Sequence, residues 1–345
     1  MVTVFYVTLL VITTLIWGYV FYKKDYHPQP LKVVVQSFII GLFAMVPVFA
    51  YKYLYVNFLP ELAEYQIFRP ILDSPLIIGL SVFVFNLALL SLILFTLSGA
   101  LSLILNTFSY SVIINLKNAL KDEPLGFTAV SVLLGVAIFI QSSAQKIFSI
   151  QIIGTVLGSI LFLAIIEEYI KHLIVRVTDD KKIKDIDDAI TLSIVVGLAF
   201  AFVETIFYGI LSGDIGIIFY RVIISIPIHL VSSGIFGYYY GLSHFSKPIT
   251  KLEGGDKTYR KKWLPALLTL KKSALYHEEK IMEGIFFATL FHALINLLFE
   301  FNLGFLAVPL VVLGVVIIFR FYKLGHAEDV MINKLKRCRL KKLKA

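Results

Sequence analysis

The chain carries a single cysteine, Cys338, and it lies in the basic C-terminal run "INKLKRCRLKKLKA", so no intramolecular disulfide braces the fold. Charge is scarce as well. Asp, Glu, Lys and Arg make up 16% of the 345 residues, well below the roughly one quarter usual in soluble globular proteins. There is no internal repeat, no low-complexity linker and no compact HExxH, so a metal site cannot be read from one helix alone. The N-terminus "MVTVFYVTLLVITTLIWGYVFYKK" lacks a charged leader and a small-residue cleavage site before Lys23 and Lys24. It reads as a retained first span and not as a cleaved signal peptide.

What the chain does have is apolar length. Hydrophobic residues reach 58% and the mean hydropathy is +0.85, which places the protein among polytopic membrane proteins. The apolar runs each approach the roughly 20 residues that a helix needs to cross the hydrocarbon, and they are too long and too uniform for the alternating strands of a barrel. The expected fold is all-α, a polytopic transmembrane helical bundle of about nine spans. The candidates fall at 2–22, 33–52, 75–116, 127–143, 148–177, 190–211, 215–243, 283–301 and 303–322. Lysines in the first loop and in the tail set the N-terminus outside and the C-terminus in the cytoplasm by the positive-inside rule. The two counts agree if 75–116 crosses an odd number of times.

The net charge of +9 resides in loops and in the tail, flanking spans, and no folded basic domain is available to present a nucleic-acid groove. Nucleic acid is therefore not an expected partner; the lipid bilayer is. The chain divides into N-terminal transmembrane helices (1–147), a core carrying the polar motifs (148–322) and a basic cytoplasmic tail (323–345).

Inside the core, four polar clusters interrupt apolar runs. A carboxylate at depth in a bilayer costs roughly 2.5 to 3.5 kcal/mol on insertion scales, so each marks a functional position unless a partner explains it. In "EEYIK", Glu167 and Glu168 stand four and three residues before Lys171, so either reaches the lysine on one helix face. In "GLAFAFVETIFY", Gly197, Ala201, Glu204 and Tyr208 share a face whose small residues permit close helix approach. His229 follows Pro227 in "SIPIHLVSSG", and "FHALIN" sets His292 and Asn296 one turn apart. Singly, these read equally well as an interfacial ion pair, a helix–helix hydrogen bond or packing histidines. Together, at compatible depths on four helices, they describe one shared cavity near the middle or cytoplasmic half of the membrane. Lys24, Lys32, His27, Glu61 and Glu64 sit at span ends or in loops and call for no function.

Such a set supports hydrolysis. A glutamate takes a proton from water while histidines, an asparagine or a bound cation stabilise the oxyanion. Glu204, His229 and His292 would give a three-ligand site for Zn²⁺, with the remaining glutamate as base. A metal-free mechanism built on the same side chains stays open.

These four motifs, in this order, resemble the PrsW family of intramembrane proteases, which is distantly similar to the CAAX-prenyl endopeptidase-like membrane proteases. The resemblance spans about 160–300. It implies a multi-span endopeptidase of the prokaryotic plasma membrane, commonly a metalloprotease, acting on a membrane-anchored protein; in some bacteria that substrate is an anti-sigma factor. It marks Glu167, Glu168, Glu204, His229 and His292 as the active-site set, with Asn296 and Lys171 in support. One position departs: Thr205 stands where the family commonly has Asn, which removes an amide donor. Two rival readings are a proton-coupled transporter and a catalytically inactive scaffold derived from a protease. The first predicts two similar halves, whereas here every buried ionisable group falls in the second half.

Overall fold

The computed structural model describes residues 2–46, 48–49, scattered positions between 123 and 140, 151–179, 183–212, 216–252 and 272–344. Among these residues every regular element is helical. In chain order they are α1 (Val2–Tyr22), α2 (Leu31–Leu42), α3 (Gln151–Asp179), α4 (Ile186–Ser212), α5 (Gly216–Ile223), α6 (Ser225–His244), α7 (Ser246–Leu252), α8 (Lys272–Glu300) and α9 (Ala307–Lys344). A helical stretch also covers 130–137.

Five segments among the described residues are long and apolar enough to cross a membrane: Val4–Tyr22, Ile186–Ser212, Gly216–His244, Lys272–Glu300 and Gly304–Lys334. α3, at 29 residues, is long enough too, at ~43 Å for ~1.5 Å per residue. The expected run at 75–116 lies outside the described residues. The expected span at 33–52 is not one continuous helix, because α2 stops at Leu42 and a turn follows at Phe43 and Ala44. Likewise the helix of 215–243 is two helices. It breaks at Ile224, and Pro227 then falls in the first turn of α6, where its missing N–H costs little. At the C-terminal end the expected basic tail continues the last helix, which runs unbroken to Lys344.

Burial orders these helices. Of the apolar window of α4, 78% is buried, against 17% for those of α1 and of the Gly304–Lys334 segment, so α4 is central and the other two lie at the rim. A helix apolar on all sides is satisfied only inside a bundle or by lipid. α6 packs most extensively on α4 and α8. One core cluster joins α3, α4, α6 and α8 through Leu173, Leu192, Val196, Phe236 and Ile285. A second joins α1, α4, α6 and α9 through Leu10, Phe21, Ile190, Leu230 and Ile318.

The α4–α6 contact is close because glycines line it. A Cβ on Gly237 would stand 2.8 Å from the Ala189 carbonyl oxygen and 2.8 Å from Ile190 Cα, and one on Gly197 would stand 2.2 Å from Ser233 Oγ. The "GYYYG" spacing is therefore a packing seam, with Gly241 meeting Ile186 one turn further on. α8 ends in a Schellman motif. Asn302 takes φ 58°, Leu303 N–H reaches Leu298 O at 2.7 Å and Asn302 N–H reaches Phe299 O at 3.0 Å.

Gly237→Ala should separate α4 from α6, because the atoms it meets are backbone and cannot rotate away. The expected cost is about 1–3 kcal/mol, read as a lower thermal midpoint in detergent. Gly135→Ala, whose Cβ meets nothing within 4 Å among the described residues, is the matched control and should leave the midpoint in place.

Candidate functional site

The four clusters converge. Glu167, Glu168, Lys171, Glu204, His229 and His292 are all buried, and Glu167, Glu204, His229, His292 and Asn296 line one cavity of about 430 Å³. Its wall also includes Tyr208, Tyr220 and Arg221. These residues, with Phe299 and Glu300 at the end of α8, set the cavity toward the bundle end where α4 stops and α5 starts.

The adjacent glutamates have different surroundings. Successive helical residues are turned by about 100°, so Glu167 faces the cavity while Glu168 points into the bundle. Glu168 Oε1 accepts from Lys171 Nζ at 2.6 Å, from Ser232 Oγ at 3.0 Å and from His292 Nδ1 at 2.7 Å. Those donors come from α3, α6 and α8. With the His292 proton committed to Glu168 through Nδ1, the Nε2 lone pair turns toward Glu167 Oε2, 3.7 Å away. This carboxylate–imidazole arrangement is the one that orients a histidine for metal binding.

His229 is held from both sides. Its Nδ1 lies 3.3 Å from Lys171 Nζ, and an ammonium can only donate, so Nδ1 accepts and the ring proton sits on Nε2. Nε2 then donates to Glu204 Oε2 at 2.8 Å. The same oxygen takes Arg221 Nη2 at 2.6 Å, and the guanidinium also contacts Ser225 Oγ and lies 4.4 Å from the Tyr208 ring centre. The break at Ile224 creates this arrangement, because it sets Arg221 at the end of α5 beside Glu204 while His229 begins α6. The His229 and His292 rings meet edge to face at 4.8 Å.

Lys171 therefore anchors Glu168 and His229. The donor set also differs from the one expected for a metal. Atoms of Glu167, His229 and His292 lie within 4.8 Å of one another, while Glu204 is engaged by Arg221 and His229. Glu167 thus replaces Glu204 in the group brought together. Asn296 lies where expected, on the cavity wall. Thr205 is fully buried, with no hydrogen-bond partner for Oγ1 among the described residues.

Arg221 and Ser232 were not singled out from the sequence. A lone arginine eight residues before His229, inside an apolar run, was signal enough for the first; a serine gives none. A second buried cluster was also missed. His172, next to Lys171 but on another face, has Nε2 2.6 Å from Glu123 Oε2, and Arg176 Nε lies 3.0 Å from Glu123 Oε1. Burial by itself would raise the Glu123 carboxyl, but His172, then His277 and Arg176, outweigh it and hold it well below the usual carboxylate range. The spacing of His172 and Arg176, one turn apart in "KHLIVR", was the available signal.

A bundle of apolar helices enclosing a polar cavity walled by glutamates, histidines and an asparagine has the equipment of a membrane-embedded hydrolase. The family model for the PrsW family intramembrane metalloprotease matches residues 124–322, and the chain belongs to that family. It is an integral membrane protein and an intramembrane peptidase. No curated protein and no solved structure matches the chain.

The buried ion pair gives a direct test. Lys171→Met leaves Glu168 without its countercharge and should cost about 3–5 kcal/mol, measured by denaturation in detergent. The double variant Lys171→Met/Glu168→Gln, which removes both charges, should recover a large part of that loss. A double variant no more stable than the single one would show that the pair is not coupled.

Proposed function

We propose that the cavity hydrolyses a peptide bond of a membrane-anchored protein substrate, with residues 148–322 as the catalytic unit. The observation that carries this is the convergence of Glu167, Glu204, His229, His292 and Asn296 on one 430 Å³ space inside a chain of the PrsW family. The family assignment favours the peptidase over a transporter. The plasma membrane of a prokaryote is the location that the resemblance implies.

The donor set fits a catalytic divalent cation. Two imidazoles and one carboxylate within 4.8 Å make up the three-protein-ligand arrangement of catalytic zinc, which leaves a position for water or substrate. Glu167, His229 and His292 would hold the ion, with Glu168 orienting His292; His229 would need its proton on Nδ1 to offer the Nε2 lone pair. When bound, the cation polarises the scissile carbonyl and makes water a stronger acid. Glu204, a further carboxylate on the wall beside the histidines, takes the proton as water adds to the carbonyl carbon. Its proton then passes to the leaving nitrogen as the C–N bond breaks. The Arg221 guanidinium keeps Glu204 in place, and the Asn296 amide donates to the oxyanion. The apolar remainder of the wall, Ile160, Leu163, Ile217 and Phe299 among it, suits an extended, largely apolar segment of substrate.

A second reading rests on the His229 tautomer. With its proton on Nε2, His229 offers Glu204 a donor and not a lone pair. In a metal-free mechanism Glu167 would be the base, with the Asn296 amide supplying an oxyanion donor.

Elemental analysis of purified protein, paired with cleavage of a single-span membrane-anchored reporter, separates the two. Under the metal reading, wild-type protein carries about one zinc per chain. Glu167→Gln and His292→Ala lose both metal and cleavage, whereas Glu204→Gln keeps the metal and loses at least ~100-fold in cleavage rate. Active protein with no stoichiometric metal, still cleaving after chelator treatment, would overturn the cation and leave Glu167 as the base.

A further inference from the structure

At one end of the bundle, away from the cavity, a second group of carboxylates is assembled from two distant parts of the chain. Asp25 follows α1; Asp185 and Asp188 open α4. Oxygens of all three lie within 4.8 Å of one another, and Asp25 and Asp188 are 4% and 0% exposed. Part of this arrangement has a local explanation. Asp185 Oδ1 accepts Asp188 N–H at 2.9 Å, and Asp188 Oδ2 accepts the N–H groups of Lys184 and Asp185 at 2.8 and 3.3 Å, a reciprocal cap on the start of α4.

Capping does not account for the rest. It gives no reason to press Asp25 against the cap, where Thr191 Oγ1 donates to Asp25 Oδ2 at 3.1 Å. Nor does it account for Asp187, which is 1% exposed and whose Oδ1 has no hydrogen-bond partner. The charged groups that Asp187 faces are Asp185, Asp25, Asp329 and Asp188, all acidic. Oδ1 of the wholly buried Asp188 is unpartnered too. Among the described residues no lysine or arginine pairs with Asp25, Asp185, Asp187 or Asp188. His27 is a basic neighbour, with Nδ1 3.6 Å from Asp185 Oδ2 and a side chain that is 75% exposed. Buried like charges of this kind need either protons or a cation, because an uncompensated carboxylate out of water is costly.

We propose that Asp25, Asp185 and Asp188 form a binding site for a hard divalent cation, Ca²⁺ or Mg²⁺, distinct from the catalytic cavity. The donors are all oxygens, which selects hard cations over zinc or copper. The Thr191 hydroxyl, bonded to Asp25, offers a further oxygen for a coordination number above three. Asp187 contributes charge from behind. A cation here ties the α1–α2 connection to the start of α4, the helix that carries Glu204 at its other end, and so braces the central helix of the bundle.

The test uses full-length protein in detergent, stripped with EDTA and titrated separately with Ca²⁺ and Mg²⁺. The preferred ion should raise the thermal midpoint by roughly 5 °C at saturation. The shift should persist in His229→Ala/His292→Ala, which separates this site from the catalytic one, and should vanish in Asp25→Asn and Asp188→Asn, substitutions that keep shape and the hydrogen-bond acceptor. A measurement on the unaltered chain guards against a misfolded variant: Tb³⁺ bound here should luminesce through Tyr322, whose hydroxyl lies 2.9 Å from Thr191 Oγ1, and Ca²⁺ or Mg²⁺ should displace it. No midpoint shift with either ion together with no displaceable Tb³⁺ signal would overturn the site, as would a shift that survives in folded Asp25→Asn and Asp188→Asn.

Discussion

The arrangement around Glu168 governs the rest of this molecule. A carboxylate fully enclosed by apolar helices is tolerable only with countercharge and a full set of donors, and Oε1 draws these from Lys171, Ser232 and His292. Because the three donors sit on three helices, satisfying one oxygen fixes α3, α6 and α8 relative to one another at a single depth. Hydrophobic packing alone is poorly directional inside a membrane, where lipid is as apolar as the helix surfaces. A buried anion specifies its neighbours far more narrowly.

A second anion, Glu204, repeats the device between α4, α5 and α6 with Arg221 and His229 as its partners. His229 touches both hubs, since Lys171 approaches one ring nitrogen and Glu204 the other. The two networks are thus one, and the cavity lies where they meet. This also explains a division between adjacent residues: Glu168 supports from within, while Glu167, turned away from it along the helix, faces the open space. The local breaks serve the same end, since the interruption at Ile224 lets Arg221 and His229 reach a single carboxylate from two helices.

Much of this was legible beforehand. Long apolar runs announced an all-helical membrane protein, because crossing helices must be apolar and about a bilayer long. Glu167, Glu168, Glu204, His229 and His292 stood out because ionisable side chains in such runs are expensive, and Asn296 followed from its spacing to His292. The "GYYYG" seam of α6, packed against α4, was legible too, as small residues at helical spacing. Pro227 held more than was read from it: the helix breaks three residues before it, and the run 215–243 is not a single straight span.

What the sequence by itself determined is the cast: which side chains would be buried against their preference and would therefore have to find one another. That follows from local quantities, the hydropathy of a run and the period of a helix. Only the tertiary structure decided the pairings. Whether Lys171 answers Glu167 or Glu168, whether Glu204 stands in the metal-ligand group or pairs with Arg221, and whether Asp25 reaches the start of α4 all depend on the rotation and height of one helix against another. Those are set by contacts between residues tens to hundreds of positions apart, such as His292 with Glu168 and Thr191 with Asp25, and no local pattern encodes them.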